Sequence, residues 1–99
     1  MAVTRIIAGV VDGNGNIISG GDDFQVNRPN TGEYQINFYN GFSEIPAVVG
    51  SQVLYGSDQQ SSADNIVFPF VSRLAFTALT GNGQGTHDNR SFAFIAAGN

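Results

Sequence analysis

At 99 residues the chain has room for one domain, 1–99, and such a chain buries only a modest share of its surface on folding, so it needs disulfides, a metal or self-association. Cysteine is absent and His87 is the only histidine, which removes disulfides and nearly removes a structural zinc. The net charge of −4, with arginine as the only basic residue, excludes a nucleic-acid backbone as partner, because phosphate binding needs clustered basic side chains.

Arg5 to Val11 reads as the first strand. It ends in the turn string Asp12-Gly13-Asn14-Gly15-Asn16, and Ile17 to Ser19 returns as a short hairpin partner. Phe24 to Arg28 alternates, with Phe24 and Val26 on one face. Pro29-Asn30-Thr31-Gly32 reads as a tight turn. Tyr34, Ile36 and Phe38 then alternate with polar residues, the mark of a half-buried strand. Ala47 to Tyr55 follows, and Gly56 to Asp64 is a polar, mobile loop. Ile66, Phe68 and Phe70 form an inward face, while Pro69 places this strand at an edge or a bulge. Leu74 to Thr80 is another strand, Gly81 to Asn89 a long loop, and Arg90 to Ala97 the last strand. No helix can be drawn, because Gly, Pro or a polar cluster interrupts every window. The expectation is an all-β fold, an antiparallel β-sandwich of about six to eight short strands.

The last strand carries apolar residues on both faces. Phe92, Phe94 and Ala96 make one, and Ala93, Ile95 and Ala97 the other. A sandwich of this length has one internal core, which covers one face of each strand. The second face therefore predicts a homo-oligomer.

No motif points to catalysis, and the expectation is a non-enzymatic protein without a cofactor. Asp12-Gly13-Asn14 has the first ligand positions of a calcium loop and Asp23 falls at the twelfth, but Ile17 stands where that loop needs glycine, so a plain turn is expected and no metal site is assigned. The glycines from Gly81 to Gly85 precede no helix, so they hold no phosphate. No nucleophile elbow accompanies His87. His87, Asp88 and Arg90 offer donors and acceptors suited to sugar hydroxyls. Tyr39 and Tyr55 are the exposed rings on which a sugar stacks, and Tyr55 adjoins the Gly56 to Asp64 loop. The candidate ligand-binding residues are His87, Asp88, Arg90 and Tyr55.

The run Gly21-Asp22-Asp23-Phe24-Gln25-Val26-Asn27-Arg28, then Thr31-Gly32-Glu33-Tyr34-Gln35-Ile36-Asn37-Phe38 and Phe42-Ser43-Glu44-Ile45-Pro46-Ala47-Val48-Val49, resembles the C-terminal module of phage tail fibres and bacterial collagen-like surface proteins. The closing Arg90-Ser91-Phe92-Ala93-Phe94-Ile95-Ala96-Ala97-Gly98 is similar to that module's last strand. This resemblance implies a trimer. The order of elements is also similar to H-type lectins, through Phe42 to Val49, then Val71-Ser72 and Phe76. That likeness implies binding of N-acetylgalactosamine-type sugars at clefts between subunits, with His87 in the loop where the lectins place their binding histidine. Val67 stands where the lectins carry an arginine, and no tryptophan precedes His87.

The combined expectation is a homotrimeric, lectin-like module with glycan sites in loops between subunits. The alternative is a trimerisation cap of a fibre or surface protein with no ligand. No run of about 18 apolar residues exists, so no membrane span is expected. Met1-Ala2-Val3-Thr4-Arg5 shows no leader, which leaves two options: the chain stays in the cytoplasm, or it reaches an extracellular or virion-surface location by a route such as virion assembly and lysis.

Overall fold

Alternating apolar residues build eight strands: β1 (Arg5–Val11), β2 (Ile17–Ser19), β3 (Phe24–Asn30), β4 (Glu33–Phe38), β5 (Ala47–Gln52), β6 (Asn65–Val71), β7 (Ala75–Gly81) and β8 (Phe92–Gly98). The structure, a computed structural model, describes residues 4–99. The Met1-Ala2-Val3 start lies outside the described residues. All strand pairs are antiparallel, in two four-stranded sheets ordered β2-β1-β8-β5 and β3-β4-β7-β6. The fold is an all-β sandwich, as the alternation predicts.

The core lies between the sheets and is aromatic. Phe94 of β8 packs edge-on against Phe24 of β3 and Phe76 of β7, with ring centroids 5.0 and 4.9 Å apart. Phe76 in turn meets Phe68 at 5.5 Å and Phe38 at 5.8 Å. Edge-to-face geometry sets the positive rim of one ring against the negative face of the next, which adds about 0.5–1.5 kcal/mol per pair to the burial itself.

Two turns share one construction. Asp12 Oδ1 accepts the amides of Asn14 and Asn16, and Asn82 Oδ1 accepts those of Gln84 and Thr86. In each, a backbone pair closes the ring, Asp12 N–H to Asn16 O and Asn82 N–H to Thr86 O. Each also needs a left-handed residue at its fourth position, filled by Gly15 (φ 89°) and Gly85 (φ 82°), where a side chain would be strained. The Asp12 carboxylate thus closes a hairpin turn, and β2 separates it from Asp23.

Several details differ from expectation; β7 and β8 each begin one or two residues later than the sequence implied, at Ala75 and Phe92. β3 runs on through Pro29 to Asn30, with its register shifted between Asn27 and Asn30; Pro29 sits on an edge strand, where its missing N–H leaves no ladder bond unmade. β5 stops at Gln52, before Tyr55. In β6 a register shift falls between Val67 and Phe70. It turns Phe70 outward, where it is exposed, and Val71 takes the inward place beside Phe76. Strict alternation put Phe70 inside; the extra residue of a bulge reverses the parity.

The connections fall at two poles. Residues 12–16, 31–32, 53–64 and 82–91 link strands at one pole. The other holds 20–23, 39–46 and 72–74, together with both ends of the described chain, where Arg5 pairs with Gly98.

Candidate functional site

Two regions offer chemistry, the long-loop pole and the outer face of the β2-β1-β8-β5 sheet.

At the loop pole Arg90, just before β8, is the hub. Its Nη1 donates to Asp64 Oδ2 at 2.6 Å and to Gln52 Oε1 at 3.2 Å. Its Nε and Nη2 both reach Asp88 Oδ2, at 3.3 and 3.2 Å. The Tyr55 ring lies against the guanidinium, its centroid 5.2 Å from the central carbon, a cation–π contact. Gln52 extends the network, donating to the carbonyls of Asn65 and Gly81 and accepting from Gln60 Nε2. The Arg90 and Asp64 side chains are only 14% and 5% exposed. The guanidinium is therefore committed to the chain's own carboxylates, and it fastens residues 56–64 to the loop before β8.

Of the residues expected from sequence, Tyr55, Asp88 and Arg90 come together. His87 forms a bridge with Gly81 and lines a neighbouring hollow of about 180 Å³ with Asn65, Val67 and Leu79. Tyr55 opens instead on a hollow of about 350 Å³ lined by Gln59, Ser61, Asn82 and Gln84. Asn82 lines both hollows.

A second network lies beneath. Tyr34 is buried, and a buried phenol needs a partner for its hydroxyl. It donates to Gly13 O at 2.7 Å and accepts from the Arg90 amide at 3.2 Å. Burial pushes its pKa up. Asn89 Oδ1 accepts from the Gly32 amide at 2.8 Å, and Thr80 donates to Asp88 O at 2.6 Å. Residues 88–90 are thus pinned onto the sandwich. Sequence reasoning missed Asp64 and Gln52 as Arg90's partners. The signal for Gln52 was available: it is polar at a position of inward parity in β5.

The Arg90 hydrogen bond holds the Asp64 carboxyl below its usual pKa. Backbone amides, first that of Asn16, do the same for Asp12. A lowered carboxylate favours the folded state fully above the ordinary aspartate value of about 3.9, and that contribution declines as pH falls toward the folded value. Asp64→Asn should therefore lower the melting temperature at pH 7. The gap from the parent should shrink as melts are taken down from pH 5 to pH 2.5. A gap independent of pH would refute this role for Asp64.

The outer face of the β2-β1-β8-β5 sheet is different in character. Cross-strand register aligns Ile6, Ala97 and Ala47 in one row, Ala8, Ile95 and Val49 in the next, and Val10, Ala93 and Ser51 in the third. Eight of these nine are apolar and none is charged. Ile6, Val49 and Ile95 are 66%, 62% and 47% exposed, so no loop among the described residues roofs them. The outer face of the other sheet carries Gln25, Asn27, Glu33, Gln35 and Asn37 across β3 and β4. The face outside β8 is therefore the apolar second surface that the composition of the last strand predicts.

Among the described residues, no helix is long and apolar enough to cross a membrane. No protein family matches the chain, and no curated protein matches it in sequence. A solved structure of an N-truncated R1-type pyocin tail fibre resembles it in fold, with a TM-score of 0.55 over 97% of this chain and 70% of that one, at 13% identity. At that identity the likeness extends to the architecture alone: the antiparallel sheets of this chain share their fold with part of that fibre.

Proposed function

We propose that the chain is a non-enzymatic structural module of a fibre-type assembly, acting as a homotrimer. The observation that carries this reading is the uncharged, uncovered outer face of β1, β8 and β5. A contiguous apolar patch on a soluble domain marks an association surface, and a domain this small gains stability from covering it. The tail-fibre fold agrees with a fibre role, and three copies is the number the sequence resemblance implies. Sedimentation of the purified chain at micromolar concentration tests the reading: a trimer is expected, and a monomer would refute it.

A second reading, glycan recognition, is favoured by the hollow beside Tyr55. Its amides and hydroxyl, from Gln59, Ser61, Asn82 and Gln84, are the donors and acceptors that sugar hydroxyls need. Arg90 serves here as the brace behind the ring. Three copies at one pole would add avidity to a weak single site. A glycan array probed with the oligomer should show binding that Tyr55→Ala abolishes and His87→Ala leaves intact, since His87 lines the other hollow. An array blank at high protein concentration would eliminate this reading.

A further inference from the structure

Exposed sheet edges invite pairing with other chains, and folded proteins commonly blunt them with proline, charge, bulges or brevity. The sheets treat their edges differently. Both edges of the β3-β4-β7-β6 sheet carry a proline and a register shift: Pro29 in β3, beside Arg28, and Pro69 in β6. Neither edge of the apolar-faced sheet holds a proline or a charge, but β2 is three residues long and its pairing shifts register between Val10 and Val11, so β5 is the one long edge without any such device. On one side β5 runs six residues, Ala47-Val48-Val49-Gly50-Ser51-Gln52, in unbroken register with β8. On the other side β2 pairs only with Val10 and Val11, so the Ile6 end of β1, paired with β8, is open on its β2 side.

The hydrogen-bonding parity of β5 follows from one contact. Val53 N–H donates to Ser91 O. In an antiparallel ladder, residues alternate between bonding toward one neighbour and toward the other. Val49 and Ser51 therefore bond toward β8, and Val48, Gly50 and Gln52 direct their amides to the open edge.

We infer that in the trimer β5 of each copy adds to the β2–β1 edge of the next, so that three sheets close into one continuous wall around the shared apolar face. This rests on the trimer reading above. The occupant is a second copy of this chain because only one arrangement meets both demands of the sheet. Two copies stacked face to face would cover the apolar rows and leave the edges unpaired. A rotation axis along the strands covers the rows and brings edge to edge, as head-to-tail interfaces do when they close into rings. Strand direction agrees as well. β5 is antiparallel to β8, β8 to β1, and β1 to β2, so β5 meets the next copy's β2 antiparallel, whereas beside the bare Ile6 end of β1 it would run parallel.

The number three follows from spacing. Four strands about 4.8 Å apart make a wall about 19 Å wide, and three such walls leave an inscribed radius of about 5.5 Å, close to half the ~10 Å between packed sheets. Side chains then meet at the axis. Four walls would leave a radius of about 10 Å, and alanine and valine would not fill it.

The test is residue-resolved amide exchange by NMR on the full chain, with sedimentation on the same sample. The amides of Val48, Gly50 and Gln52 should exchange on the order of a hundredfold more slowly than that of Gly56, a loop residue. A trimer in which these amides exchange as fast as Gly56 overturns edge closure and leaves the face-packed trimer standing. A monomer overturns the trimer reading itself. Replacing Gly50 by sarcosine, which exchanges one edge N–H for N–CH3, adds a second readout. A folded monomer is expected, and a folded trimer would refute the closure.

Discussion

Phe94→Ala should destabilise the fold by about 3–5 kcal/mol, the range for truncating a fully buried phenylalanine. Phe94 is 2% exposed. It is the ring through which the two sheets grip each other, with Phe24 on one side and Phe76 on the other. Truncation removes both edge-to-face contacts and leaves a void, and close-packed neighbours collapse only partly into such a space. Urea unfolding at fixed protein concentration measures the effect. A loss below about 1 kcal/mol would mean that the rings repack and that the core is less tightly specified than its geometry indicates.

Ile95→Asp, one residue further along, should do the reverse. Ile95 points out of the sandwich, so a single chain tolerates aspartate there, and far-UV circular dichroism should stay that of a β protein. In the trimer the same position carries three carboxylates into an apolar, shared core. An unpaired buried charge costs several kcal/mol unless it takes up a proton. Association should weaken by roughly a thousandfold or more, and sedimentation at micromolar concentration should find a folded monomer. A variant that remains trimeric would place the interface elsewhere. The two substitutions together separate the surface that folds the chain from the surface that assembles it.

How much of this was legible beforehand depends on which interactions are local. Strand positions were readable because alternation and turn residues act over a few neighbours. Tyr34, Ile36 and Phe38 alternate with polar residues and are buried. The double-sided character of β8 was readable for the same reason, since Ala93, Ile95 and Ala97 occupy one parity in the sequence and one face in the fold. Phe70 was misplaced because a bulge is set by what the partner strand allows, and β7 lies beyond β6 in the chain. The loop pole was half legible. Asp88 and Arg90 are two residues apart, so their pairing is local. Asp64 meets Arg90 across 26 residues of chain, through folding of the whole sandwich, and nothing in its own neighbourhood marks it. Arg90 Nη1 and Nε are engaged by Asp64, Gln52 and Asp88, partners that its own sequence neighbourhood names only in Asp88.

The separation of the two poles gives the module a direction. The alanine, valine and isoleucine face proposed to assemble the protein lies within β1, β8 and β5, whereas residues 53–64 and 82–91 lie past the strand ends. Those loops can therefore diversify, lengthen or exchange surface chemistry while the assembling rows stay as they are. All three copies would present the altered loops toward the same side. Recognition and architecture can evolve at separate rates in one short polypeptide.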